Sequence, residues 1–344
     1  MTGQLEKLTW FPFSDEPVIS PLRFVPQFCD PQVIMPSQAV DGRWHMFFHS
    51  WIGVHHFVSD SGIAWEPARV IVFRGHYPSI YIEGDSYHLL YETHDSRFSG
   101  NRSERKEAGR GSRIEMRTST DLVTWSKPRL LLKATDVPYA KDYISSPGVS
   151  RPQIIKFGDT YRLYFGASHL SLPDSGQKAS RYFGYAVAKD LKGPYLVTSQ
   201  KPLIECSPDS RWRNLATGGI RLVETKEALY GFQCGIYWDE KTRKTGSAMI
   251  LLKSEDGLNF RVCREEPILV PSSRGWASSY IMGCDVRYEN NEKCWYCYFS
   301  ANGKDAIGLN RFFKKQEAVG LLIGAVAPTV NQTTTEQQLH GVFL

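Results

Sequence analysis

The chain has 344 residues, 42% of them hydrophobic and 13% aromatic, so it can bury a sizeable core, and a formal charge of +5 is too modest for that length to argue for nucleic acid. No apolar stretch reaches transmembrane length, and residues 1–10 lack a basic-then-apolar signal sequence, so no membrane partner is expected. Seven scattered cysteines, an odd number, fit a reducing compartment better than a disulfide framework and point to a cytoplasmic protein.

In chain order, the first strong signal after the apolar segment 5–13 is Asp30-Pro31-Gln32-Val33-Ile34. It returns as Tyr77-Pro78-Ser79-Ile80-Tyr81, Arg151-Pro152-Gln153-Ile154-Ile155, Gly219-Ile220-Arg221-Leu222-Val223 and Asp285-Val286-Arg287-Tyr288-Glu289. The spacing of roughly 50 to 75 residues lies near the periods of propellers and solenoids. Tight turns near Gly42, Gly84, Gly158, Thr225 and Asn290 follow, as hairpins require. Aromatic-rich second strands come next, such as W-H-M-F-F-H at 44–49, Y-R-L-Y-F-G at 161–166 and W-Y-C-Y-F-S at 295–300. In the first four units a third strand then leads to an Asp-containing turn and an aromatic: Trp65, Trp125, Tyr195 and Phe260.

The predicted fold is all-β: a five-bladed β-propeller of four-stranded antiparallel blades around a polar channel. The expected blades are 28–74, 75–134, 148–204, 214–269 and 280–315, closed by an N-terminal strand at 5–13. Residues 316–344 read as a C-terminal tail that packs on the propeller or on a partner subunit. With a strand period of two, the apolar second and fourth positions of each innermost strand face a neighbour, and the first and third face the channel. Those channel positions are Asp30, Gln32, Tyr77, Ser79, Arg151, Gln153, Gly219, Arg221, Asp285 and Arg287. The long connections follow the second and fourth strands, so they gather on one face, at the N-terminal ends of the innermost strands. One of them, the basic segment 97–113, reads as a solvated loop or an anion-steering lid. Cys294 and Cys297 form a C-x-x-C with no second pair and fall on opposite strand faces, so no metal or other cofactor is expected.

The Asp-Pro, Tyr-Pro and Arg-Pro openings, with G-Y-A-V-A-K-D-L-K-G-P-Y at 184–195, resemble the five-bladed propeller glycosidases, among them glycoside hydrolase families 43, 32, 62, 68, 117 and 130. The resemblance implies a glycosidase acting on a carbohydrate. In the family 43 pattern it makes Asp30 the general base. The other two acids of that pattern do not carry over: Arg151 stands at the third-blade aspartate, and Gly218 falls near the fourth-blade glutamate.

Cleaving a glycoside needs a second proton-handling group. Asp285 and Glu92 are the candidates, with His49, His76 and His94 near the same face. Arg151, Arg221 and Arg287 outnumber Asp30 and Asp285, which favours an anionic sugar. Gln32, Tyr77, Ser79, Gln153, His94 and Trp51 complete the expected substrate contacts. The alternatives are a non-catalytic glycan- or protein-binding propeller, and a glycoside phosphorylase or transferase.

Overall fold

The structure is a computed structural model and describes residues 5–22, 24–94, 111–141, 146–172, 174–175, 177–303 and 316–326. Most of the basic 97–113 segment, and the chain beyond 326, lie outside the described residues. The strands are β1 (Leu8–Pro12); β2 to β5 (Cys29–Ile34, Trp44–His49, Gly53–Ser59, Glu66–Phe73); and β6 to β9 (His76–Glu83, Ser86–His94, Ser112–Ser119, Arg129–Lys133). They continue as β10 to β12 (Ser146–Phe157, Thr160–Ser171, Lys178–Ala188); β13 to β16 (Ala216–Glu224, Leu229–Asp239, Lys244–Ser254, Arg261–Val262); and β17 to β19 (Tyr280–Glu289, Cys294–Asn302, Glu317–Val326).

Five antiparallel sheets result, each starting with one of the repeated segments as its innermost strand: β2, β6, β10, β13 and β17. This is a five-bladed β-propeller. Blade three has three strands, and its outer edge is continued by isolated bridges from Leu196 to Val187 and from Ile204 to Phe183.

Blade five corrects one expectation. The apolar run after Lys315 is not a tail, because Glu317–Val326 is the blade's third strand, paired from Asn302↔Glu317 to Trp295↔Gly324. The N-terminal β1 lies outside it, from Leu8↔Val326 to Pro12↔Leu322, so both ends of the chain build one sheet. A long connection separates β18 from β19, which makes the third strand look like an appendage in the sequence. The apolar residues proposed for a subunit contact are used inside the blade: Leu321 and Leu322 are buried.

Each interface between blades has its own apolar cluster. Ile34, Phe47 and Leu89 join blades one and two; Leu90, Ile154 and Leu163 join two and three; Ile155, Leu222 and Ile250 join three and four. Phe232, Val286 and Phe299 join four and five, and Val33, Met46 and Tyr298 join five and one. The repeated Asp turn locks these interfaces. Tyr164 of blade three donates its hydroxyl to the Gly257 carbonyl of blade four (2.9 Å), and Tyr298 of blade five donates to Gly62 of blade one (2.7 Å). The turns hold their shape because Asp121 and Asp256 accept backbone N–H groups two and three residues on.

Leu5, fully buried in the cluster between blades four and five, anchors the N-terminal closure. Leu5→Ala should cost about 2–5 kcal/mol by leaving a cavity. Urea denaturation of the two proteins checks this, and an unchanged midpoint would show that the closure carries no stability.

Candidate active site

Every innermost strand is bulged near its loop-side end, between Cys29/Gln32, His76/Ser79, Ser150/Gln153, Ala216/Gly219 and Ile281/Gly283. In the first three blades the bulge holds a residue in the left-handed region: Asp30 (φ 52°), Tyr77 (φ 51°) and Arg151 (φ 50°). Such backbone costs about 1–3 kcal/mol at each non-glycine position and persists only where its surroundings impose it. A proline follows each one, where its missing N–H removes no ladder bond from an already interrupted pair.

The bulges turn three long side chains toward one another. Arg151 Nε donates to Asp30 Oδ1 at 3.0 Å, and its guanidinium lies 4.1 Å from the centre of the Tyr77 ring. Asp30, Gln32, Tyr77, Arg151, Gln153 and Arg221 line a cavity with an empty volume of ≈ 370 Å³. Glycine makes the room: a Cβ at Gly219 would sit 2.9 Å from Arg151 Nε, and one at Gly283 would collide with the Asp30 carboxylate.

Asp30 keeps one oxygen open. His49 Nδ1 is 3.9 Å from Oδ2, but that nitrogen already accepts the Tyr77 N–H, so it brings no proton to the carboxylate. Burial holds His49 well below the usual imidazole range, the field of His76 adding to it, so its ring is neutral at physiological pH. Burial also raises the Asp30 pKa, and the Arg151 charge and hydrogen bond limit the rise.

Asp285 stands elsewhere than expected. Gly283, not Asp285, lies beside Asp30, because Asp30 falls within its own strand's bulge whereas Asp285 lies two residues past the end of the fifth one. Asp285 is one layer deeper, 1% exposed, and both its oxygens are engaged. Oδ1 accepts from Arg221 Nε (2.9 Å), and Oδ2 accepts from Arg287 Nε (2.9 Å) and the Val33 N–H (2.7 Å). Arg221 also donates to Ser79 (3.1 Å), so this network spans blades one, two, four and five. Three guanidiniums, Arg151, Arg221 and Arg287, face the two channel aspartates, and the buried Glu92 and Glu317 carboxyls stand close enough to Asp30 to interact with it. Gln153 spends both ends of its amide on the Leu222 backbone, stitching blade three to blade four. Gln32 Oε1 is buried, lines the cavity, and has no hydrogen-bond partner among the described residues.

Glu92 lies two residues before the end of the second strand of blade two, beside a group of histidines. His94 Nε2 lies 3.0 Å from Glu92 Oε1, an ion-pair contact without hydrogen-bond alignment, and the His76 and His94 rings are 6.0 Å apart. Burial pushes Glu92 up, but His94, with the fields of His169 and His76, outweighs it and leaves the pKa below the ordinary carboxylate value. Trp51 projects from the β3–β4 turn, 63% exposed, and is not among the cavity-lining residues.

Sequence reading missed two members of this neighbourhood. His169, on β11, acts on Glu92 through space and packs against Gly148. Glu317, the first residue of β19, is 2% exposed and sits close enough to Asp30 to repel it. A lone carboxylate heading the run E-A-V-G-L-L-I was the available signal.

No family model matches the chain, and no curated protein matches it. Solved structures do. The catalytic domain of a family 62 α-L-arabinofuranosidase from Coprinopsis cinerea superposes with a TM-score of 0.61 at 11% identity, covering 93% of this chain and 98% of that one. A family 117 glycoside hydrolase from Zobellia galactanivorans gives 0.56 at 13% identity, with 98% of each chain covered. An N-acetylgalactosamine deacetylase from F. plautii, in complex with blood group B trisaccharide, gives 0.59 at 14% identity over 92% of this chain and 95% of that one. At such identities the likeness is one of fold: the five-bladed propeller shared by these carbohydrate-active proteins.

Asp285→Ala would leave Arg221 and Arg287 without their counter-charge in the channel, and should destabilise the fold by about 3–5 kcal/mol. Chemical denaturation tests this. A loss below about 1 kcal/mol would mean that water or another acid replaces Asp285 without penalty.

Proposed function

We propose that this chain is a glycoside hydrolase acting on a small oligosaccharide with an acidic sugar at or next to the cleaved bond. The observation that carries the reading is a pair of acid–base groups: Asp30, which lines the cavity, and Glu92 with His94, which are not among its lining residues but stand near enough for the Glu92 charge to act on Asp30. Asp30 is a carboxylate held through a single oxygen among the described residues, and the buried Glu92 carboxylate stands 3.0 Å from the half-exposed His94 ring. Hydrolysis needs both functions: one group takes a proton from the attacking water, and another protonates the leaving oxygen.

Arg151 keeps Asp30 oriented by Nε, leaving Oδ2 to face the cavity and accept the water's proton. Burial brings the Asp30 pKa closer to neutrality, which strengthens it as a base. The histidine surroundings favour the ionised form of Glu92, and the leaving-group proton is assigned to His94, whose side chain is 51% exposed and stands 3.0 Å from that carboxylate. Asp285 is assigned a structural part here, since both its oxygens are committed. The terminal nitrogens of Arg151, which lines the cavity, have no protein acceptor among the described residues, and they favour a carboxylate, sulfate or phosphate on the sugar.

A second reading is a propeller that binds a glycan without turning it over. The pairing of both channel aspartates with arginine favours it, because paired carboxylates suit holding a ligand as well as they suit chemistry.

The two readings separate in a turnover assay on aryl glycosides and on uronic or sulfated oligosaccharides, with and without added phosphate. Asp30→Asn, Glu92→Gln and His94→Gln should each lower kcat/KM by about 100- to 10,000-fold at a temperature where circular dichroism shows each variant folded. A phosphate requirement would move the reaction to phosphorolysis. Ligand-induced thermal stabilisation with no turnover by wild type would establish the binding reading instead.

A further inference from the structure

The seam where the ring closes carries a buried acid that the proposed reaction does not use. Glu317 opens β19, and its backbone is fixed on both sides: its N–H donates to Pro26 O (2.9 Å) and its carbonyl accepts from the Phe28 N–H (2.9 Å). Its carboxyl is nevertheless poorly satisfied, since Oε1 is buried with no hydrogen-bond partner among the described residues. The groups facing the carboxyl are the Cys29 thiol and the Asp30 carboxylate from β2, the Ser300 hydroxyl from β18 and the Arg151 guanidinium from β10. Ser300 Oγ in turn accepts the Asp30 N–H at 3.2 Å.

We propose that Glu317 is a positioning residue for Asp30, acting through Ser300 from behind the cavity wall. The Asp30 N–H donates to Ser300 Oγ, and the pairing of Asn302 with Glu317 and of Ser300 with Val319 puts the acid diagonally across from Ser300 on the adjoining strand. The Ser300 hydrogen bond pins the residue whose backbone is held at a φ of 52°. The protonation state of Glu317 then matters, because two ionised carboxyls this close repel each other. Burial, with the Asp30 charge adding to it, pushes Glu317 up to about 7 despite the contacts with Cys29, Ser300 and Arg151. Below that pH Glu317 is neutral and Asp30 holds the only negative charge of the pair. Above it, the second charge competes for Arg151 and loosens the arrangement. The inference deepens the role given to Asp30 above, but its main test needs no substrate.

A carboxyl whose folded pKa is raised contributes stability that is fully present below its unfolded value, near 4.5, and is lost as pH rises through about 7. Glu317→Gln removes that loss. The melting temperature of Glu317→Gln relative to wild type should therefore rise by about 3–6 °C between pH 4.5 and 8. In an Asp30→Asn background the same comparison should give a smaller rise, since the repelling charge is gone. An equal rise in both backgrounds would overturn the coupling, and no pH-dependent difference at all would overturn the titration.

Should Glu317→Gln fail to fold, ¹³C titration of the glutamate carboxyls in wild type and Asp30→Asn decides the same point. The resonance that titrates near 7 must move to lower pH in the variant, and a fixed position would sink the proposal. If the sugar panel yields a substrate, the fall in kcat/KM above neutral pH should shift upward in Glu317→Gln, which a merely structural glutamate would not cause. Should the panel yield none, the melting and titration results still stand or fall by themselves.

Discussion

Charge balance along the central axis is the condition on which the rest of the molecule rests. Five innermost strands can converge only if the side chains they send inward are compatible, and here those side chains include two aspartates and three arginines. An unpaired ion in such a place costs several kcal/mol, more than most single contacts contribute. The protein meets the cost with shared partners: Asp285 serves Arg221 and Arg287 together, and Arg151 serves Asp30. The blade interfaces can then be plain apolar packing, one cluster for each, because the polar work has been confined to the axis.

The same economy separates two layers of the channel. In the deeper one, the engagement of both Asp285 oxygens by Arg221, Arg287 and the Val33 N–H, with Ser79 holding Arg221, makes a floor from four blades. At the mouth, Asp30 keeps an oxygen open, Arg151 keeps its terminal nitrogens, and Gln32 keeps an unsatisfied carbonyl. Stability and chemistry are thus divided by depth within a few residues of the same strands. The fold alone would not reveal this, since propellers of this shape occur in proteins described as hydrolases and in one described as a deacetylase.

Much of this arrangement is legible in the sequence, and the reasons for the failures are physical. The alternation of polar and apolar residues in Asp30-Pro31-Gln32-Val33 reports burial on one face and the channel on the other, so the blades and their common face follow directly. Bulges break the alternation. They place the extra residue by backbone geometry, which a period of two cannot see, and for that reason Asp285 falls a layer below Asp30 although the two motifs align. Glu317 was hidden differently: its strand is separated from its blade by a long connection, and the aliphatic run that follows it reads as a tail. Trp51 is the opposite case, an aromatic that suits sugar stacking by type and stands on an exposed turn apart from the cavity-lining residues.

The left-handed bulges also bear on how such a site can change over evolutionary time. At residues 30, 77 and 151 the direction of the side chain is imposed by the backbone and the following proline, whichever residue occupies the place; here an acid, an aromatic and a base all fit. These positions behave as sockets of fixed aim with exchangeable contents. A family built on this frame can replace an aspartate by an arginine at one socket, and so trade one ligand preference for another, without redesigning the blade that holds it.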